Sequence, residues 1–438
     1  MRDEPSLQIR DALVVSAVDG EAPFRGWVEI RGNRIAVVGH GAAPASDGAR
    51  VIDAAGDALL AGLVNTHSHS HSSLTRGSAE GMRLERWIEA IELEQGRLSD
   101  DDAYVAALAT YGEALLSGTT SIMDMCLRPE PAIRAARALG IRAVMAPYVL
   151  DGRSFAPTLS DVESLLQAHG ARDGRIDIWV GLHDLESCSD DTVREGARLA
   201  RAFGTGLHLH CSETRFAVER TRRRTGATPI AHLLALDALG PRTVLAHCVW
   251  ADRDDQALLA RTGTSVAHCP HANLKLASGF APVPSMLEAG NNVALGTDGA
   301  KANNRLDMFD VMKFASLVHR GVALDASVLT APSVIGMATV RGARALGLEA
   351  GCIAPGRLAD LTLVDLRQFH LQPGVPAAVE ANLVHAARGS DVRMVIVDGE
   401  IVVEDGRLVR LPMAPIVESM RAAAERLMAP HSASPPVV

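Results

Sequence analysis

Eight short apolar runs dominate the middle of the 438-residue chain, and a helical pattern follows each of them. Near-continuous apolar strands that alternate with amphipathic helices indicate a parallel sheet whose faces are covered by helices. Eight such repeats over roughly 240 residues match a (β/α)8 TIM barrel, which is an α/β fold. The predicted barrel strands lie at residues 59–69, 119–125, 141–149, 176–184, 205–211, 242–248, 264–269 and 292–298.

The two ends of the chain have a different pattern from the middle. Residues 1–58 and 355–412 contain short alternating strands separated by turns. Neither end is large enough for a core of its own, so we expect both to form one composite β-sandwich domain. The barrel then covers residues 59–354, and residues 413–438 form a C-terminal helix and a disordered tail. The hairpin signals are Gly32-Asn33, Asp398-Gly399 and Asp405-Gly406.

Charge and cysteine content narrow the possible partners and the compartment. The net charge is −9, so neither nucleic acid nor an anionic membrane is an expected partner. Six cysteines without paired spacing do not form a disulfide framework, and the N-terminus lacks an apolar signal core, which together predict a cytoplasmic protein. The chain has three lysines, Lys275, Lys301 and Lys313; none follows a glycine, which excludes a GxxxxGK phosphate loop.

Nearly every predicted barrel strand ends in a polar side chain that is capable of acid–base chemistry or metal binding. The carboxyl ends of the strands of a barrel face one common mouth. The sequence therefore predicts an active site at this mouth. The side chains concerned are His67, His69, Asp124, Tyr148, His183, His210, His247, His268 and Asp298.

The first barrel strand carries a possible pair of metal ligands. His67 and His69 are two residues apart, so their imidazoles project to the same face of the strand. His71 keeps the same parity but lies beyond the predicted strand end at residue 69. We therefore favour His67 and His69 as ligands and assign His71 to the pocket or the loop.

Further candidate ligands follow on later strands. On the fifth strand, His210 lies nearer the mouth than His208, and Glu213 follows it by three residues. A metal-bound imidazole next to a carboxylate provides a ligand and a general acid/base together. His247 ends strand six and Asp298 ends strand eight, and spacing alone allows either as a ligand. Three imidazoles and a carboxylate suit Zn²⁺, or less specifically Fe²⁺ or Mn²⁺, and such an ion lowers the pKa of its water to about 7.

Five barrel motifs occur together in one known superfamily. They are GLVNTHSH (62–69), HLHCSET (208–214), LAHCVW (245–250), HCPHANLKLASGFAPVPSML (268–287) and LGTDGAKANN (295–304). Through them the chain resembles the amidohydrolase superfamily, in its mononuclear deaminase and triazine-hydrolase branch. Within that branch it resembles the methylthioadenosine/S-adenosylhomocysteine deaminases. The resemblance spans nearly the whole chain, including PGRLADLTLVD (355–365) in the terminal β-domain.

The resemblance implies a role for each central residue. The metal ligands are His67, His69, His210 and Asp298, the proton shuttle is Glu213, and His247 orients the nucleophile. Binuclear members of the superfamily commonly bridge two metals with a carbamylated lysine on a barrel strand. Because no lysine lies at the ends of strands one to six, we expect one divalent metal, with Zn²⁺ preferred and Fe²⁺ or Mn²⁺ as alternatives.

The expected activity is metal-dependent hydrolytic deamination of a nitrogen heteroaromatic ring of the purine, pterin, pyrimidine or s-triazine type. In this hypothesis metal-bound hydroxide attacks the ring carbon that carries the amine. Glu213 transfers a proton to the ring, and His247 and Asp298 hold the nucleophile. Alternatives are removal of chloride or an alkylamine from a triazine, opening of a cyclic amide, a two-metal phosphotriesterase-like enzyme, and a non-catalytic metal-binding protein.

Three further residues are candidate contacts for the heterocyclic substrate. His183 matches a substrate-contacting position of the family, and His268 on strand seven is expected to face the mouth. Trp87 follows strand one and either covers a flat ring as a lid or anchors a helix.

Two charged candidates are less typical of the family. Glu186 stands where relatives often carry an aromatic residue, and it either contacts an amino-rich ring or faces solvent. Lys301 stands where relatives often carry a small residue, and it either reaches an anionic or carbonyl group or is a solvated loop residue. Arg153 is the obvious anion partner in the loop after strand three.

Because relatives are often dimers or larger, a homo-oligomer is expected.

Overall fold

The computed structural model of the protein describes residues 6–45, 48–82, 84–170 and 172–429. Its strands are β1 Ser6–Val15, β2 Phe24–Arg31, β3 Arg34–His40, β4 Arg50–Asp53, β5 Ala58–Ala61, β6 Leu63–Ser68, β7 Thr119–Asp124, β8 Arg142–Met145, β9 Arg172–Asp173, β10 Ile176–Ile178, β11 Val180–Leu182, β12 Leu207–Cys211, β13 Thr243–His247, β14 Ser265–His268, β15 Val293–Leu295, β16 Leu361–Val364, β17 Val392–Val397, β18 Glu400–Glu404 and β19 Arg407–Leu408.

The helices lie mostly between the barrel strands, as the sequence pattern predicts. The α-helices are α1 Leu84–Gln95, α2 Asp100–Leu116, α3 Pro129–Leu139, α4 Leu159–His169, α5 Asp190–Ala202, α6 Arg215–Thr225, α7 Pro229–Ala235, α8 Arg253–Thr262, α9 Pro270–Lys275, α10 Val283–Glu288, α11 Ala300–Asn303, α12 Met308–Ala323, α13 Ala331–Ala338, α14 Val340–Leu346, α15 Pro376–His385 and α16 Met413–Met428. Short 3-10 helices lie at Ser70–Thr75, Phe369–Leu371 and Gly389–Asp391. None of the described helices is both long and apolar enough to cross a bilayer.

Parallel strands form the barrel in the predicted order, and the fourth strand is divided at Trp179 into β10 and β11. One hydrogen-bonded sheet contains β6, β7, β8 and β10, and the other contains β11 to β15. Backbone bonds join these sheets at both edges: His183 N, after β11, donates at 3.0 Å to the backbone oxygen of Val149, which follows β8, and Asp298 N donates to His67 O at 2.9 Å. The carboxyl ends of the strands therefore surround one mouth.

Strands from both chain ends form one nine-stranded sheet. Its order is β19-β18-β17-β16-β5-β1-β2-β3, and β4 pairs with β1. Successive side chains point to opposite faces of a strand. Leu59 and Ala61 of β5 pack in a core within this terminal sheet, whereas Ala58 and Leu60 pack in the large core shared with the barrel. Apolar burial therefore fixes the terminal sheet to the barrel.

The predicted first barrel strand, residues 59–69, is two strands in the structure. β5 pairs with β1 and β16 in the terminal sheet, whereas β6 pairs with β7 in the barrel. Gly62 lies between them, and a Cβ at this position would lie 2.2 Å from the Thr120 side chain. Glycine therefore allows the close passage from one sheet to the other. The terminal sheet reaches Ala61, beyond the limit at residue 58 that the sequence predicts.

The C-terminal helix predicted within residues 413–438 corresponds to α16. It packs on α2, where Arg426 forms an ion pair with Asp102. Of the tail predicted to be disordered, residues 430–438 lie outside the described residues.

Candidate active site

β6 positions the first two histidines of the predicted site. His67 is fully buried, and its Nδ1 lies 2.8 Å from Nε2 of His208. Nδ1 of His208 lies in turn 2.9 Å from the backbone oxygen of Val244. Nε2 of His67 is buried and has no hydrogen-bond partner among the described residues. A buried ring nitrogen without a partner marks a position where a ligand is expected.

His69 and His210 converge on the same point from opposite sides. Their Nε2 atoms lie 3.2 Å apart. Nδ1 of His69 lies 3.0 Å from the backbone oxygen of Met125, and Nδ1 of His210 lies 2.7 Å from that of His183. These backbone acceptors fix both rings so that each directs Nε2 towards the centre of the barrel mouth.

Asp298 completes the cluster from the loop after β15. Its Oδ1 lies 3.8 Å from Nε2 of His67 and 3.6 Å from Nε2 of His69. The backbone of Asp298 is left-handed, with φ of 62°, and Gly299 N donates to its carboxylate. Burial raises the pKa of Asp298 to about 6, although His247 opposes this shift. Strained backbone of this kind is often found where a side chain must be aimed at a functional site.

These side chains fit a divalent cation. The ligand atoms of His67, His69 and Asp298 all lie within 4.8 Å of one another, and so do those of His67, His210 and His247. Burial, with smaller contributions from neighbouring imidazoles, holds the pKa values of His67, His69 and His210 well below the ordinary value. Neutral imidazoles with a carboxylate are a typical donor set for zinc and related ions.

Glu213 and His247 lie beside this cluster, as predicted for the proton shuttle and the orienting residue. Nε2 of His247 lies 3.9 Å from Oε2 of Glu213 and 3.9 Å from Oδ2 of Asp298. Two partners not singled out by the sequence hold these groups: Asn273 Oδ1 lies 2.8 Å from Nδ1 of His247, and Ser278 Oγ donates to Glu213 Oε1 at 3.1 Å. Both lie in the long motif at residues 268–287, but their order in the sequence does not show which side chain they face.

The cluster forms the floor of a cavity that opens at the barrel mouth. Four of the five predicted substrate contacts line it. They are Trp87, His183, Glu186 and Lys301. The sequence prediction missed Glu92, Glu94 and Gln95 of α1 and Leu427 of α16, which also line the cavity. The acidic end of α1 is visible in the sequence, but only the packing of α1 across the mouth brings it to the site.

The prediction that His268 faces the substrate differs from its position in the structure. His268 ends β14, is 2% exposed, and is absent from the described lining of the cavity. Its Nε2 lies 3.0 Å from Nε2 of His319 on α12. The ring is directed at this helix, so the residue packs within the protein beside the site.

The structure shows the surroundings of three candidate substrate contacts. Trp87 lines the cavity and packs on the cluster that includes Ala302, so it anchors α1 in the cavity wall. Glu186 is partly exposed, with its Oε2 3.7 Å from Nη1 of Arg220. His183 has Nδ1 2.8 Å from Ser187 Oγ.

Lys301 is buried in the cavity wall, so its description as a solvated loop residue is wrong. Its side chain is 2% exposed, and its Nζ donates to Oε2 of Glu94 at 2.6 Å. Burial lowers the pKa of Lys301, and Glu94 opposes this change. The pair joins α11, which follows Asp298, to α1 above the cavity.

Replacing Lys301 with Met is expected to loosen α1. The Glu94 carboxylate would lose its partner in a largely buried position, at a cost of about 2 kcal/mol because it keeps some access to water. Amide hydrogen exchange in α1 should then accelerate by about 30-fold. The double variant Lys301→Met/Glu94→Gln should recover most of the protection, and Lys313→Met, at an exposed position on α12, serves as the control. Unchanged exchange in Lys301→Met would show that the pair does not hold α1.

Comparisons with known proteins agree with this geometry. A model described as the amidohydrolase family matches residues 58–402. The chain is 41% identical over 408 residues to a 5′-deoxyadenosine deaminase of Methanothermobacter thermautotrophicus, covering 92% of this chain and 95% of that protein. It is 40% identical over 409 residues to a 5-methylthioadenosine/S-adenosylhomocysteine deaminase of Moorella thermoacetica, with the same coverage. A crystal structure of an adenosine deaminase of Xanthomonas campestris with bound zinc has a TM-score of 0.90 at 28% identity, over 97% of this chain and 98% of that chain.

These similarities confirm several predictions from the sequence. The TIM-barrel fold, the hydrolase class and the hydrolytic deamination of a small nitrogen heterocycle are confirmed by the family match, the deaminase relatives and the structural neighbour. The use of a divalent metal is supported by the same family and by the histidine and aspartate cluster. The chain therefore belongs to the amidohydrolase family.

Proposed function

We propose that the protein is a zinc-dependent deaminase of an adenine nucleoside modified at its 5′ carbon. Two curated relatives of about 40% identity carry names of this substrate class, and the neighbouring adenosine deaminase structure contains zinc. The observation that carries the proposal is the convergence of Glu213 and Asp298 on Nε2 of His247, directly beside the unpartnered Nε2 of His67. This arrangement supports the proposal, which requires a proton acceptor, an orienting imidazole and a metal site at the floor of one cavity.

Four side chains would hold the metal: His67, His69, His210 and Asp298. The three imidazole rings are held by His208 and by backbone oxygens, so little reorganisation of these side chains is required for metal binding. A divalent ion bound here supplies Lewis acidity and lowers the pKa of a water molecule towards about 7.

The protein's own residues then account for the proton transfers. Water must add to the ring carbon that carries the amine, and Glu213 takes one proton from this water. Glu213 then donates that proton to the adjacent ring nitrogen, which removes the aromatic character of the C=N bond. His247 orients the water between Glu213 and Asp298. Asp298 accepts the second water proton, which leaves with the amine as ammonia, and a ring carbonyl remains.

The cavity above this floor suits a flat ring with an uncharged substituent. Trp87, Ile91, Leu98, Leu150 and Leu185 provide apolar lining. An aromatic base gains free energy from contact with such side chains, and an indole provides a stacking surface. The amine must reach Glu213 at the floor, so the ribose of a bound nucleoside extends towards the mouth.

Ammonia release across a panel of substrates tests the proposal. We expect 5′-deoxyadenosine and 5′-methylthioadenosine to be deaminated with higher kcat/KM than guanine, cytosine, a pterin or an aminated triazine. The reaction is followed by ammonia assay and by the change in purine absorbance. Faster reaction of a triazine or a pyrimidine would overturn the nucleoside assignment.

That the chain is a dimer or larger oligomer, and that it binds neither nucleic acid nor membranes, remains a prediction.

Metal removal should abolish this activity reversibly. Without the ion, nothing lowers the pKa of the attacking water, so we expect chelator-treated protein to release no measurable ammonia. Activity should return in proportion to added Zn²⁺ and saturate at about one ion per chain, because one donor cluster of this kind is present among the described residues. Elemental analysis alongside the assay measures the stoichiometry, and a requirement for two ions would contradict a single-metal site.

A further inference from the structure

Carboxylates dominate the charged groups of the cavity wall above the floor. Among the described residues that line the cavity, Lys301 is the sole lysine or arginine, and Glu94 already pairs with it. Three further carboxylates lie above the floor, on Glu92, Asp184 and Glu186; Asp184 lies 3.3 Å from Nδ1 of His183, and Glu186 lies 3.7 Å from Nη1 of Arg220. An anionic substituent that entered this space would therefore meet charges of its own sign.

One of these carboxylates, Glu92, holds the guanidinium of Arg153 in the loop after β8. Arg153 follows Leu150, a lining residue, in the loop after β8. Its Nε and Nη2 donate to the same oxygen of Glu92, Oε1, at 3.2 and 3.0 Å. The Glu92 side chain, which lines the cavity, is 33% exposed and that of Arg153 is 47% exposed, so the pair lies where the cavity wall meets solvent, called here the rim.

We infer that Glu92 determines substrate specificity: it occupies Arg153 and so excludes nucleosides whose 5′ substituent is anionic. This inference rests on the proposed function. It predicts that the enzyme accepts nucleosides with neutral 5′ substituents, such as deoxy, methylthio or amide groups. Nucleosides with a 5′ carboxylate or phosphate are predicted to be poor substrates.

Two physical effects produce the exclusion. Glu92 is tethered to the fold, so its carboxylate acts on Arg153 at an effective concentration in the millimolar range, and a dissolved carboxylate at micromolar concentration competes poorly. A substrate anion that approached Arg153 would also lie close to the charge of Glu92, with little compensation from other cations of the lining. A neutral substituent meets neither cost.

Two probes of the same size separate charge from shape. Adenosine-5′-carboxamide and adenosine-5′-carboxylate differ only in the amide nitrogen and the charge. We expect the wild-type enzyme to favour the carboxamide in kcat/KM by about tenfold or more. In Glu92→Gln, the amide side chain can still accept a hydrogen bond from Arg153 but carries no charge, so this preference should fall by about tenfold, mainly through KM for the carboxylate.

A variant of the partner residue Arg153 should shift the substrate preference in the opposite direction from Glu92→Gln. Arg153→Met leaves Glu92 without its counter-ion, so the preference for the carboxamide should increase several-fold. A structural disturbance of the rim would instead shift both variants in the same direction. Glu89→Gln is the matched control, because Glu89 lies on the same helix, is 62% exposed, and pairs only with Arg86 among the described ion pairs.

The outcomes separate this inference from the proposed function. If neither probe nor 5′-deoxyadenosine releases ammonia, the proposed function is wrong and the inference falls with it. If all three react but Glu92→Gln and Arg153→Met keep the wild-type preference, only the inference is wrong. A wild-type enzyme that prefers the carboxylate would overturn it directly.

Discussion

Replacing Glu213 with Gln is expected to lower kcat for ammonia release by about 10³-fold while metal content stays at the wild-type level. Gln has the shape of Glu and can still accept the hydrogen bond that Ser278 Oγ donates to Oε1. It cannot take a proton from water or return one to the ring nitrogen. The loss should therefore appear in kcat, with a small change in KM, because binding of the nucleoside does not depend on proton transfer.

The control for this variant is Glu219→Gln. Glu219 lies on α6 and pairs with Arg215 at 46% exposure, so its charge is removed without contact with the cavity. Activity close to wild type is expected for it. A fully active Glu213→Gln enzyme would remove Glu213 from the mechanism, and parallel loss of metal would show that Glu213 acts as a ligand instead.

Replacing Arg142 with Met is expected to lower the free energy of unfolding by about 3 to 5 kcal/mol. Arg142 lies at the start of the barrel strand β8 with its side chain 7% exposed. Its Nε and Nη2 donate to the two oxygens of Asp360 at 2.8 and 3.1 Å, and Nη2 also donates to Asp398 at 3.0 Å. These two carboxylates raise the pKa of Arg142, although burial opposes them.

The large effect follows from what the variant leaves behind. Asp360 is 2% exposed, so without Arg142 its charge would be buried beside Asp398 with no equivalent counter-ion. The double variant Arg142→Met/Asp360→Asn should recover a substantial part of the loss, since no unpaired charge remains at Asp360. Arg194→Met, which breaks an exposed pair with Asp191, should cost no more than about 1 kcal/mol. Urea unfolding measures all three, and equal costs for Arg142→Met and Arg194→Met would contradict a role for burial.

Most of the barrel and its floor follow from local sequence patterns. The period of two brings His67 in β6 and His69 directly after it to one face, and it likewise places His208 and His210 on one face of β12, with His210 nearer the mouth. Polar residues at strand ends predict a shared mouth because a parallel barrel places its carboxyl ends together. These rules need only the strand assignment, and the structure places the four proposed ligands and Glu213 together accordingly.

The failures of prediction involve contacts between distant segments. Lys301 has the sequence context of a solvated loop, yet Glu94, 207 residues away along the chain, pairs with it in the cavity wall. His268 obeys the strand-end rule but turns towards His319 on α12. No local pattern encodes either contact, because each depends on how a helix packs across the barrel.

The sequence by itself determined the family, the barrel and the set of groups available for chemistry. Strand parity and strand order are short-range properties, and they are sufficient to collect histidines and carboxylates at one mouth. The tertiary structure decided how the cavity above them is charged. The chain has only three lysines, and one of them, Lys301, is buried in the cavity wall as the ion-pair partner of Glu94. The position of α1 also places Glu92 beside Arg153. Charge pairing of this kind acts over a few ångströms in space, whatever the separation along the chain, so packing alone establishes it.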